Sequence, residues 1–325
     1  MRFGIIGTNY ISDRFLAALP FAEAKATAIY SRKKETGDAF AQRHGIPLVF
    51  TSLDAFFSSD AFDAVYIASP NACHKSQAIA AMRAGKHVLC EKPIAPSLRE
   101  YEEMKATADA CGCVLTEAMR PVFDGGWQAI RESIGRLGKL RKVHLDFCQY
   151  SGRYDAFLSG TVLNAFNPAL SNAALLDIGV YPIAVLAMLF GMPSSVKSTS
   201  LTLENGFEGG GTAVLGYDGF EAVVTYSKVC DSVAPSFILG EGGGIVIDKV
   251  SEPREASLKL RGQDAVPIPL RRFDAPDNMF EEVCAFCRLV ESGDREGTSE
   301  ISRITLSVMD AIRQQNGILF PSDAE

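Results

Sequence analysis

The stretch Arg2-Phe3-Gly4-Ile5-Ile6-Gly7-Thr8-Asn9-Tyr10-Ile11-Ser12 decides the fold. An apolar strand over 2–6 runs into Gly7, and an amphipathic segment over 10–19 follows at once. Strand, tight turn and helix in that order are the setting a dinucleotide-binding loop requires. Gly7 permits the turn, and the helix start then offers N–H groups and positive dipole to a pyrophosphate. Two positions depart from the G-x-G-x-x-G/A pattern: Asn9 stands for the second glycine and Ser12 for the third small residue. Asn tolerates a left-handed backbone better than most residues, so the turn is expected to survive with Asn9 left-handed.

Beyond this stretch, short apolar runs at 26–30, 48–50, 64–68, 87–90 and 114–117 alternate with amphipathic segments at 35–44, 73–84 and 98–110. Ser97 and Glu100 form a capping box before the last of these. Such alternation implies parallel βαβ units. After Arg120 the rhythm changes. A helix over 123–134 precedes a long strand over 142–150, a polar irregular stretch over 151–172, and an apolar run over 178–193. Pro182 lies inside that run and Asp177 precedes it, so it reads as a buried helix rather than a bilayer span. Several strands follow over 196–247, with Asp218-Gly219 at a hairpin turn. Strands without intervening helices imply an antiparallel sheet. Helices over 278–291 and 300–315 close the chain. The fold expected is an α/β Rossmann domain over 1–120 and an α+β domain with a mainly antiparallel sheet over 121–325. The second would serve substrate binding and oligomerisation, with the C-terminal helix packing back on the first.

The 325 residues suit two domains. Hydrophobic residues at 47% and charged residues at 22% are ordinary for a globular chain and argue against large-scale disorder. A net charge of −7 disfavours nucleic acid and anionic membrane surfaces as partners. The apolar run begins too close to Met1 for a secretory signal, so a cytoplasmic protein with reduced thiols is expected. Cys284 and Cys287 read as helix core, and no second Cys or His pair gives zinc spacing. Metal is not expected. His44, His87 and His144 read as structural, and Trp127 as a packing residue.

The second strand ends in Tyr30-Ser31-Arg32. An NAD site usually places an acid here for the ribose 2′-hydroxyl; a hydroxyl and a guanidinium suit a 2′-phosphate. NADP(H) is therefore favoured over NAD(H), which stays the alternative.

Two further motifs are Glu91-Lys92-Pro93, straight after a strand, and Leu176-Asp177-Ile178-Gly179-Val180-Tyr181. With the Gly7-Thr8 loop and Ala68-Ser69-Pro70-Asn71, they make the chain resemble the Gfo/Idh/MocA oxidoreductases over essentially its whole length. Within that family it is most similar to short bacterial members of unestablished substrate and to the dihydrodiol and sugar dehydrogenase branch. The resemblance implies that Gly7, Thr8, Asn9, Tyr10, Ile11, Ser31, Arg32, Ser69, Pro70, Asn71, His74, Glu91 and Lys92 bind the cofactor. It also implies that Tyr181 moves the proton, that Lys92 is its electrostatic partner, and that Asp177 is a ligand of substrate or of lysine. The chemistry agrees. Free tyrosine, with a pKa near 10, is a weak base at neutral pH, and a nearby ammonium favours its phenolate. Asp177 and Tyr181, four residues apart, should share one face at a helix start. Many relatives have His at the Tyr181 position and Gly-Gly-Gly where this chain has Ser171-Asn172-Ala173. Arg153 and Tyr154 are further candidates for lining a sugar or carboxylate.

The activity implied is hydride transfer between NADP(H) and a secondary alcohol or carbonyl of a sugar, polyol or cyclic diol. A redox-neutral glycosidase or epimerase-like enzyme and a non-catalytic NADP(H) sensor are the alternatives. A homodimer or dimer of dimers, joined through the open sheet face, is expected.

Overall fold

The computed structural model describes residues 1–271, 275 and 277–324. The chain divides into two compact units, Met1–Arg120 with Asp274–Glu300, and Pro121–Phe273 with Ile301–Glu325.

In the first unit β1 (Arg2–Ile6), α1 (Tyr10–Ala18), β2 (Lys25–Tyr30), α2 (Lys34–His44), β3 (Leu48–Phe50), α3 (Leu53–Phe57), β4 (Ala64–Ile67), α4 (His74–Arg83), β5 (His87–Glu91), α5 (Leu98–Cys111) and β6 (Leu115–Ala118) alternate. The six strands form an all-parallel sheet ordered β3-β2-β1-β4-β5-β6. This is the doubly wound order expected from the alternation, and it reverses direction between β1 and β4. Strand residues such as Phe3, Ile5, Tyr66 and Leu89 are fully buried, as a sheet covered on both faces demands.

The second unit begins at α6 (Arg120–Phe123), which straddles the division, and continues with α7 (Gly125–Ile134), β7 (Leu140–Cys148), α8 (Tyr154–Leu158), α9 (Val180–Phe190), β8 (Ser195–Thr202), β9 (Glu208–Tyr217), β10 (Phe220–Ser227), β11 (Ser236–Gly240), β12 (Gly243–Ile247), β13 (Ala256–Leu260) and β14 (Val266–Pro267). Its sheet runs β14-β13-β12-β11-β7-β10-β9-β8. All neighbours are antiparallel except β7 and β10, which pair in parallel. Asp218 and Gly219 turn β9 into β10, with Gly219 at φ 82°, so the hairpin stands where the Asp-Gly pair put it. Val180 to Ala187 of α9 are all buried, against one sheet face. Trp127 is fully buried and donates from Nε1 to the Val250 carbonyl at 2.8 Å.

Three differences from the sequence reading have physical reasons. First, α10 (Met279–Ser292) belongs to the first unit, which is therefore discontinuous in sequence. Met279, Val283, Phe286 and Cys287 form one apolar stripe and join the core of Phe3, Phe15 and Tyr66. The last helix, α11 (Ser299–Asn316), falls in the second unit from Ile301 on. Second, 151–172 is not wholly irregular. It holds α8 and two single 3₁₀ turns, Asn164–Phe166 and Pro168–Leu170, organised by stacked rings of Tyr154, Phe157 and Phe166. Third, α9 is entered through a π-helical turn, Leu175–Gly179, whose wider ring alters the facing that a plain α-turn would give Asp177 and Tyr181.

Among the described residues no helix is long and apolar enough to cross a membrane. All eight cysteines are free thiols.

Candidate functional site

In the first unit every cofactor candidate lies at or just beyond the carboxyl edge of the parallel sheet. Gly7 follows β1 with φ 113°, and a Cβ there would sit 2.5 Å from the Ala68 carbonyl oxygen. Only glycine satisfies both conditions. Asn9 is not left-handed: it lies at φ −94°, ψ 176° and caps α1. Its Oδ1 accepts from the Ile11 and Ser12 N–H groups at 3.1 and 3.3 Å, while its Nδ2 donates to the Ala68 carbonyl at 3.0 Å. An ordinary helix cap therefore replaces the second glycine, and Ser12 is fully buried beneath it. Thr8, Tyr10 and Ile11 complete the turn; Tyr10 is 64% exposed and receives a hydrogen bond from Arg14 on its Oη.

Beyond β2, Ser31 is buried and donates to the Lys33 carbonyl, whereas Arg32 is exposed. Beyond β4 come Ser69, Pro70 and Asn71; Ser69 donates to Gln77 at 2.7 Å. His74 opens α4 and is 1% exposed. Its two ring nitrogens each lie 3.0 Å from a backbone carbonyl, those of Pro93 and Ser69, and burial pushes its pKa down. His74 thus clamps the loop beyond β4 to the loop beyond β5.

Lys92 follows directly on β5, and its neighbours are anchored on both sides. Glu91 accepts from Tyr66 Oη at 2.6 Å and from the Lys92 N–H at 3.2 Å. Ile94 N–H donates to Glu117 at 3.0 Å, and the Lys92–Pro93 bond is cis. Burial raises the Glu91 pKa, opposed by the Lys92 charge. Tyr66 is itself held face to face with Phe15 at 3.7 Å. Glu282 of α10 is fully buried, and neither carboxyl oxygen has a hydrogen-bond partner among the described residues; burial and then Glu91 push its pKa well up.

In the second unit Asp177 stands in the π-turn and pairs with Lys228 at 2.6 Å. Tyr181 stands in the first turn of α9, is 7% exposed, and its ring centroid lies 5.5 Å from that of Phe147. Glu208, at the start of β9, accepts from the Leu175 N–H at 2.9 Å and so caps the π-turn; burial pushes its pKa up to about 7. Ser171 adopts φ 56°, a left-handed backbone that favours glycine. Arg153 is exposed at the start of α8, while Tyr154 stacks on Phe157 and Phe166. His87 and His144 bond within their sheets, and His44 pairs with Asp13.

Residues 1–119 match the family model described as oxidoreductase family, NAD-binding Rossmann fold, and residues 127–246 match the GFO/IDH/MocA C-terminal domain. Over 99% of both chains the protein is 45% identical to scyllo-inositol 2-dehydrogenase (NADP(+)) IolU of Bacillus subtilis (strain 168). The chain belongs to the Gfo/Idh/MocA oxidoreductase family. It is also 27% identical, over 99% of both chains, to trans-1,2-dihydrobenzene-1,2-diol dehydrogenase of Mus musculus. Among solved structures it resembles KijD10, a 3-ketoreductase from Actinomadura kijaniata in complex with NADP and TDP-benzene. That likeness has a TM-score of 0.82 at 26% identity and covers 97% of this chain and 98% of that one.

The nicotinamide dinucleotide of a Gfo/Idh/MocA oxidoreductase fits the first unit on its own geometry. The sheet reverses between β1 and β4, the Gly7 turn leaves no room for a side chain, and α1 directs its N-terminus at that reversal. Lys228 and Glu208, which meet the turn carrying Asp177, were not legible in the sequence. Neither belongs to a motif, and each meets the Asp177 turn only through long-range packing. Among the described residues no group of three or more His, Cys, Asp or Glu side chains could hold a metal.

Proposed function

We propose that this Gfo/Idh/MocA oxidoreductase is an NADP(H)-dependent dehydrogenase of a cyclic polyol of the inositol kind. The observation that carries the reading is the 45% identity, over nearly all of both chains, to an NADP-dependent scyllo-inositol 2-dehydrogenase. Similarity to dihydrodiol dehydrogenases supports a ring bearing adjacent hydroxyls.

Bound NADP would accept or return a hydride at the carbon carrying the reacting hydroxyl. The Gly7–Tyr10 turn would cradle the pyrophosphate. Ser31 and Arg32 would meet the 2′-phosphate, and Ser69, Pro70, Asn71 and Lys92 would line the nicotinamide side. Tyr181 takes the hydroxyl proton during oxidation and gives it back during reduction. Lys92 favours the phenolate and orients the reacting oxygen. Asp177, an acceptor when ionised, binds hydroxyls of the ring.

Arg32→Ala is expected to weaken NADPH binding about 10- to 100-fold, the worth of a charged hydrogen bond or two, and to leave NADH nearly unaffected. Fluorescence titration of both cofactors reads this. Tighter NADH than NADPH binding, unchanged in the variant, contradicts the preference.

The sheet of the second unit supports self-association. Leu201, Val214, Leu239 and Val246 project from the face opposite the buried row of Leu145, Leu215, Val224 and Ile238, and each is more than a third exposed. An apolar row on an uncovered sheet face fits a second copy of the chain. A dimer or dimer of dimers is expected by light scattering at micromolar concentration, and a monomer refutes it. Eight free thiols suit a reducing cytoplasm.

A further inference from the structure

The ammonium of Lys228 is an expensive group to bury. Its side chain is 5% exposed, and an unpaired charge in such a place is strongly destabilising. The second unit surrounds it with partners from separate parts of the chain. Nζ lies 2.6 Å from Asp177 Oδ2 and donates to the Ala165 carbonyl at 2.9 Å. The rings of Phe166 and Phe207 lie 4.9 and 5.4 Å from it, at cation–π distance. Its own backbone joins two more segments: the N–H donates to the Gly209 carbonyl, and the carbonyl accepts from the Ser151 N–H, both at 2.9 Å.

The pair is asymmetric. Asp177 is 44% exposed at its side chain, against 5% for Lys228. The ammonium stands behind and the carboxylate in front, so what the pair presents to solvent is the carboxylate. A pair serving stability alone has no need of this arrangement, since replacing both partners of a buried pair by apolar side chains of similar volume is often neutral or stabilising. The segments it ties together are the π-turn carrying Asp177, the 3₁₀ turn Asn164–Phe166, and the chain entering α8. An ionised carboxylate with a fixed rotamer is suited to accept hydroxyls from adjacent ring carbons; a mobile one is not.

We infer that Lys228 is the positioning residue of the substrate-binding carboxylate Asp177, holding it and the 164–166 turn in the one arrangement that binds a polyol ring. The inference rests on the reading of Asp177 as a substrate ligand. Lys228 touches neither cofactor nor reacting atoms in this role; it acts through Asp177.

The experiment uses the full-length protein with scyllo-inositol and NADP⁺, and the variants Lys228→Met, Lys228→Gln, Lys228→Arg, Asp177→Asn and Asp177→Asn/Lys228→Met. Methionine keeps length and ring packing without the charge. Glutamine keeps a donor for the Ala165 carbonyl, and arginine keeps the charge. The neutral Lys228 variants and Asp177→Asn should each raise KM about 10- to 100-fold, with kcat changed less. The double variant should be no worse than about the poorer single, Lys228→Arg should recover part of the loss, and NADPH binding by fluorescence should be unchanged. Wild-type KM in the neutral Lys228 variants, with a raised KM in Asp177→Asn, overturns the inference and leaves the Asp177 reading standing. A wild-type KM in Asp177→Asn overturns both. Multiplicative losses in the double variant, or loss of folding in both neutral variants, make Lys228 a structural residue and overturn the inference alone.

Discussion

Tyr181→Phe and Lys92→Met should each slow single-turnover hydride transfer by about 10²–10⁴-fold, the usual worth of general acid–base catalysis. The double variant should be little slower than the worse single. Phenylalanine keeps the ring and its contact with Phe147 and removes only the hydroxyl. If Tyr181 carries the proton and Lys92 acts on that same transfer, favouring the phenolate and orienting the reacting oxygen, removing either forfeits most of the same benefit, and the two losses overlap rather than multiply. Lys92→Met leaves the backbone anchors of its loop intact: Glu91 still receives the backbone N–H, and His74 still holds the Pro93 carbonyl. A fall in rate would therefore report the lost ammonium and not a displaced loop. NADPH affinity should be nearly unchanged in Tyr181→Phe and slightly weaker in Lys92→Met. Near-wild-type transfer in Tyr181→Phe would mean the proton goes elsewhere, and fully multiplicative losses would mean that the two residues work independently.

Glu208→Gln should abolish a pH dependence of stability amounting to about 3 kcal/mol. Burial lifts the Glu208 pKa from 4.5 to about 7, against the favourable N–H of Leu175 and the Lys228 charge. Between those two values the folded chain holds a proton that the unfolded chain has released. Stability from this group is therefore fully present below pH 4.5 and falls as pH rises toward 7, by ~1.4 kcal/mol for each pH unit of the difference. Glutamine does not titrate, and its side-chain oxygen still accepts from Leu175. Melting wild type and variant in parallel at pH 5 and pH 8.5 cancels the other titrating groups, which both share. The variant should gain on wild type at the higher pH; a difference independent of pH would show that Glu208 ionises in the fold as it does in the open chain.

The Rossmann half was legible because its signals are local. Gly7 needs a positive φ, and the period of the apolar runs marks four βα steps before any long-range contact is considered; the short α3 after β3 left no such mark. Asn9 was misread in its backbone because the glycine pattern suggested a left-handed residue, whereas an Asn before a helix has a cheaper use as its cap. The stripe of Met279, Val283 and Phe286 announces an amphipathic helix but does not say which core it joins, so the assignment of α10 to the first unit came only with the fold. Likewise Asp177 and Tyr181 were visible as a motif, but the π-turn beneath them was not, because it is supported by Glu208 from β9 and Lys228 after β10. Long-range ion pairs of this kind leave no periodic trace in the sequence.

The activity proposed for this chain is movement of a hydride between NADP and a secondary alcohol of a cyclic polyol. Incubating the purified protein with NADP⁺ and scyllo-inositol deuterated at the ring carbons, and following absorbance at the reduced-nicotinamide band with mass analysis of the cofactor, tests it directly. Net formation of NADPH carrying one deuterium per turnover is expected, slowed relative to undeuterated substrate when a single turnover is followed. Product formed without net reduction of the cofactor, or tight NADP⁺ binding with no transfer to or from any of a panel of inositols, sugars and diols, would contradict it.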